Sequence, residues 1–108
     1  MALHHVRSGE VSHLVGIADP GAKTVALAKT GSFETIHLVV RAGSTIPSHK
    51  VDGSMSLYCI EGHVRFEGDE LRELRGGDWL HLAPGTAHEL SALVDSSLLL
   101  TIMFDMSD

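Results

Sequence analysis

The chain has 108 residues, enough for one hydrophobic core and too few for two. Hydrophobic residues make up 44% and charged residues 20%, which excludes a disordered or low-complexity polypeptide. A net charge of −6, with only eight scattered Lys and Arg residues, excludes the clustered basic face that a phosphate backbone requires, so no nucleic-acid partner is expected.

In chain order, residues 1–22 are irregular, with Asp19-Pro20-Gly21 marking a turn. This segment reads as an N-terminal arm or edge segment that wraps the domain or pairs with a partner chain, and residues 23–106 read as one barrel. The N-terminus lacks the continuous apolar run of a signal peptide. No segment approaches the roughly 18 apolar residues that span a bilayer, so no membrane partner is expected. Short strands are predicted at Thr24–Lys29, Phe33–Arg41, Ser54–Glu61, His63–Glu67, Glu70–Arg75, Trp79–Leu82, His88–Leu93 and Ser97–Phe104. The breaks fall at glycine-bearing pairs, among them Ala42-Gly43, Glu61-Gly62, Gly76-Gly77 and Pro84-Gly85. Short strands at this spacing define an all-β sandwich or barrel. Gly68-Asp69 fits a two-residue hairpin turn that uses a positive φ at the glycine.

Alternation says which side chains face inward. From His49 to Cys59 the odd positions are His49, Val51, Met55, Leu57 and Cys59, the apolar set. From His88 the even positions are His88, Leu90, Ala92 and Val94. Both histidines therefore fall on core-facing registers, and a buried imidazole without a partner costs roughly 1–3 kcal/mol. Each needs a metal, a ligand or a hydrogen bond. In Phe33–Arg41 the two faces are nearly equally apolar, which leaves the direction of His37 open. His63 and His81 fall opposite the core sets Val64/Phe66 and Leu80/Leu82 and are expected to be exposed. Cys59 cannot form an internal disulfide, which suits a reducing cytoplasm, and it reads as a small core hydrophobe.

Two stretches carry a resemblance. Gly43-Ser-Thr-Ile-Pro-Ser-His49-Lys-Val51-Asp-Gly-Ser-Met55-Ser-Leu-Tyr-Cys-Ile-Glu61-Gly62 resembles the first motif of the cupin superfamily. Gly77-Asp78-Trp-Leu-His-Leu-Ala83-Pro84-Gly85-Thr-Ala-His88-Glu-Leu-Ser-Ala92 resembles the second. The resemblance implies a single cupin barrel, a jelly-roll or double-stranded β-helix. It also implies a metal site built from three histidines and one glutamate. Carried over position by position, the first and last histidines are His49 and His88, while Val51 and Met55 stand where the second histidine and the glutamate would be. Two of four ligands are missing, so the metal motif is incomplete. The histidines that could join His49 and His88 around a divalent metal (Fe, Mn, Ni, Zn or Cu) are His37 and, from outward registers, His63 or His81, and the residues present name no particular cofactor.

Two functions follow from this reading. One is a small-molecule-binding barrel whose ligand pocket contains His49, Val51, Met55, Leu57 and His88. The other is a small metal-dependent enzyme of isomerase or oxygenase type, its catalytic residues unassigned. A homodimer is expected, because the run Leu98–Phe104 is apolar at almost every position, as in a strand buried on both faces.

Overall fold

The structure is a computed structural model that describes residues 5–49 and 52–104, without the side chains of Ser48 and His49. Its regular elements are nine strands: β1 (Val25–Lys29), β2 (Phe33–Val40), β3 (Thr45–His49), β4 (Ser54–Glu61), β5 (His63–Glu67), β6 (Leu71–Arg75), β7 (Trp79–Leu82), β8 (His88–Ala92) and β9 (Ser96–Met103). No described helix is long and apolar enough to cross a membrane.

The strands form two antiparallel sheets, one in the order β1-β2-β9-β4-β7 and the other β3-β8-β5-β6. Neighbours far apart in sequence, such as β2-β9-β4 and β3-β8-β5, give the winding of a jelly roll. The all-β expectation and the jelly-roll barrel are both met.

Alternation places the core between the sheets. Met55, Leu57 and Cys59 of β4 are buried, and β9 sets Leu98 and Leu100 beside them. Val64 and Phe66 of β5, Leu74 of β6, and Leu90 and Ala92 of β8 close the core from the opposite sheet. The apolar C-terminal run forms β9, the middle strand of its sheet, hydrogen-bonded on both edges, with its N-terminal end buried and Met103 exposed.

The turns show what the glycines are for. Gly62 is the single residue between β4 and β5, where the chain leaves one sheet for the other, and its φ is +108°. A Cβ there would lie 2.6 Å from the Cα of Ser96, whose fully buried hydroxyl accepts the His63 N–H at 3.0 Å. In the β6–β7 connection Gly77 has φ +97°, and the Asp78 carboxylate accepts the Arg75 N–H at 2.8 Å. That turn is stitched to β4 by reciprocal backbone bonds, Gly77 N–H to Cys59 O and Cys59 N–H to Asp78 O, each 2.8 Å. The Gly77-Asp78 pair of the second motif thus carries a structural duty.

Three local expectations need correction. The β5–β6 hairpin pairs Glu67 with Leu71, so its loop has three residues, 68–70, and Gly68 does not adopt a positive φ. Val94 is exposed, because β8 ends at Ala92 and the alternation stops with it. The stretch 49–59 is not one strand: His49 closes β3, a strand the sequence pattern did not announce, and β4 opens at Ser54. Pro47 obscures β3 in the sequence, yet β3 is an edge strand, where a missing donor is tolerated.

The described arm contains no strand. Its Val6 N–H bonds Leu27 O at the edge of β1 (2.7 Å), and its Ile17 N–H bonds the Glu61 carboxylate at 2.5 Å. Arg41 clamps it from below, donating to Ile17 O at 3.2 Å and to Ala22 O at 3.1 Å. The arm therefore wraps the outer face of the five-stranded sheet on its own chain.

Candidate functional site

Between the sheets lies a cavity of about 160 Å³ lined by Leu38, Ile46, Met55, Leu57, Phe66, His88, Leu90 and Leu100. Each lining residue is the inward member of its strand's alternation, so the cavity is an unfilled part of the core. Among the described residues, His88 is the one polar side chain that enters this lining.

His88 is held from two sides. The Pro84-Gly85 turn, with φ +82° at Gly85, brings the Thr86 carbonyl 3.1 Å from His88 Nδ1. A carbonyl only accepts, so Nδ1 carries the proton, and in the neutral ring Nε2 is the acceptor. The ring also stacks on Phe66, with centroids 5.4 Å apart and planes 17° from parallel. This fixes both the ring's orientation and its tautomer, although the residue is only 5% exposed.

The structure brings Met55, Leu57 and His88 to this cavity. The backbone of His49 stands directly opposite His88 in the β3–β8 ladder, after an irregularity that follows Ile46. Its side chain lies outside the described residues, as does the whole of Val51. His37 does not reach the cavity. It is on the face of β2 opposite Leu38 and lines a second cavity beneath the arm. A direct trio of His37 with His49 and His88 across the barrel interior is therefore ruled out by the side of the sheet from which His37 projects.

His63 and His81 both project from the outer side of their strands, as the alternation puts them, but only His81 is exposed and His63 is half-buried. His81 is exposed and stacked on Trp79, and His63 bonds Glu73 at 2.8 Å on the outer side of β5. That bond holds the Glu73 carboxyl below the usual carboxylate range. Cys59 is fully buried, and burial, followed by the Asp78 and Glu61 carboxylates, pushes its thiol up. It stays protonated at neutral pH and is no nucleophile.

Phe66, Leu38, Ile46, Leu90 and Leu100 belong to the site without having been singled out from the sequence. Their signal was periodicity alone, which marks core and cavity wall alike.

A divalent metal in a protein site usually takes three or more protein donors. The described side chains at this cavity offer one imidazole and the thioether of Met55, and no group of three His, Cys, Asp or Glu residues suited to a metal occurs among the described residues. The described donors do not fit such a centre.

No protein-family profile and no curated protein matches the chain. Solved structures do. A cupin superfamily protein from Desulfitobacterium hafniense aligns with a TM-score of 0.79 over 97% of this chain and 100% of that one, at 14% identity. KdgF from Halomonas sp. aligns at 0.70 over 79% of this chain and 82% of its own, at 23% identity. Oxalate decarboxylase from Bacillus subtilis, studied for its Mn(II) centres, aligns at 0.64 over 71% of this chain and 22% of its own, at 19% identity. These likenesses define the class by architecture: the chain has the cupin fold, in a small single-barrel form.

Proposed function

We propose that this chain is a binding module for a small, largely apolar organic ligand. The ligand would occupy the barrel cavity, oriented by His88 with His49 from the neighbouring strand β3. The observation that carries this reading is the cavity's composition: among the described residues, seven apolar side chains surround one imidazole whose Nδ1 proton is already committed to Thr86 O. Small barrels commonly hold one ligand in an apolar space with a few polar groups that orient it. An apolar cavity of roughly 150 Å³ is large enough for benzene. A ligand of about one aromatic ring is the matching size class. A single free cysteine, Cys59, with no disulfide to form within the chain, supports a reducing, cytoplasmic setting.

Phenol is the probe that matches this chemistry. It should raise the thermal midpoint of the wild-type protein, and the His88→Ala and His49→Ala/His88→Ala variants should fold but respond to phenol much less. Equal stabilisation of all three proteins would remove the histidines from the site. The second reading, a metal-dependent enzyme of isomerase or oxygenase type, draws on the Mn(II) centres of the oxalate decarboxylase neighbour. Elemental analysis of untagged protein separates the two. A full equivalent of Fe, Mn, Ni, Zn or Cu would overturn the binding-module reading.

A further inference from the structure

The second cavity, about 170 Å³ between the arm and the outer face of β1 and β2, is built as a site in its own right. Its apolar walls are Leu14 and Val15 of the arm and Val25 and Leu27 of β1. His37 contributes the polar floor and is only 4% exposed. Its Nε2 is 2.7 Å from the Ser97 hydroxyl. No described protein group bonds Nδ1, and among the described residues no sealed polar side-chain atom lacks a partner, so Nδ1 keeps some exposure on a ring that lines this cavity.

The polar groups gather at one end. Val25 pairs with His37 across the β1–β2 ladder, and Lys23 precedes Val25 by two residues, so Lys23 and His37 share the same end of the cavity. Leu27 lies toward the other end, where Ala28 pairs with Thr35. His13 adds a second basic side chain, and no carboxylate lines the space among the described residues. Glu61, the nearby acid whose charge acts on His37, is occupied by the Ile17 N–H. The His37–Ser97 pair is not a nucleophile–base pair open to substrate, because Ser97 is 2% exposed.

We propose that this cavity binds a short aliphatic carboxylate, its chain against Leu14, Val15 and Leu27 and its carboxylate between Lys23 and the Nδ1–H of His37. A charge-assisted hydrogen bond to a desolvated ring nitrogen and a flanking ammonium select the anion. The apolar walls select its tail. This site is on the opposite side of the sheet from the barrel cavity and does not depend on what the barrel binds.

Hexanoate is the probe, followed by amide and side-chain NMR on the full chain. Saturable shifts are expected at residues 12–15 and along Val25–His37, in the millimolar range. Hexanol, with the same tail and no charge, should bind at least roughly tenfold more weakly. His37→Gln and Lys23→Ala should each weaken hexanoate by a similar factor. Lys23 is exposed, so its variant tests the charge without threatening the fold. Shifts that map instead to Phe66, His88 and Leu90, equal binding of hexanol, affinities unchanged in both variants, or no saturable shift would each overturn the proposal.

Discussion

His37 shows how the surroundings of one side chain translate into a solution property. Burial holds its imidazole below the ordinary histidine range, against a smaller upward pull from the Glu61 carboxylate. The folded protein therefore takes up this proton less readily than the unfolded chain. Above the unfolded value of 6.5 the ring is neutral in both states and the full stability is present. Below it the unfolded chain binds the proton first, and stability is lost as pH falls toward the folded value. Wild type should consequently lose more unfolding free energy than His37→Gln between about pH 7.5 and about pH 5.5, measured by urea denaturation at each pH. The other histidines are common to both proteins and drop out of the difference. Equal losses would mean that His37 is not desolvated in solution. The sequence could not have located this effect. Phe33–Val40 is apolar on both faces, because its inner face meets the core and its outer face meets the arm, and period-two reading has no power where both faces are covered.

Among the elements, the sheet-to-sheet switch between β4 and β5 is the connection with the least room for change. Gly62 sits at φ +108° against the backbone of Ser96, so an added methyl meets both strain and collision. Gly62→Ala should cost about 2 kcal/mol or more. Gly31, with open space around it and no positive φ, supplies the control, and Gly31→Ala should stay within about 0.5 kcal/mol. Chemical denaturation with unchanged m-values checks both, and similar midpoints for the two variants would contradict the account. The strands themselves were largely legible in the sequence. The consecutive strands β4 and β5, and β7 and β8, follow from clean alternation and glycine punctuation, and the inward set Met55, Leu57, His88 and Leu90 follows with them. What stayed hidden has physical causes. β3 carries Pro47, which reads as a breaker although an edge strand accommodates it. The β5–β6 loop has three residues where Gly68-Asp69 suggested two, because loop length is set by the register of Glu67 and Leu71 rather than by the turn residues alone.

For the whole molecule the question is what the uncovered half of the outer face does. The arm lies over β1 and β2, where Val25, Leu27 and His37 meet Leu14 and Val15. It leaves a row on the same sheet in which Trp79 pairs with Tyr58 and Tyr58 pairs with Leu99. Trp79 is 63% exposed and Tyr58 40%. Met103, also largely exposed, continues the face beside Ser54. An apolar strip of this kind beside a short edge strand is a surface that soluble proteins ordinarily cover, and aromatic rings are favoured anchors in such contacts. We propose that a second copy of the chain covers it, through a two-fold contact in which each Trp79 packs on the partner's β4–β7 face. Light scattering at micromolar concentration should then give twice the 11.6 kDa chain mass. Trp79→Glu should yield the monomer with an unchanged circular dichroism spectrum, since the ring is outside the core and its loss leaves no cavity. A wild-type monomer at that concentration, or a Trp79→Glu protein that stays dimeric, would place the interface elsewhere or remove it.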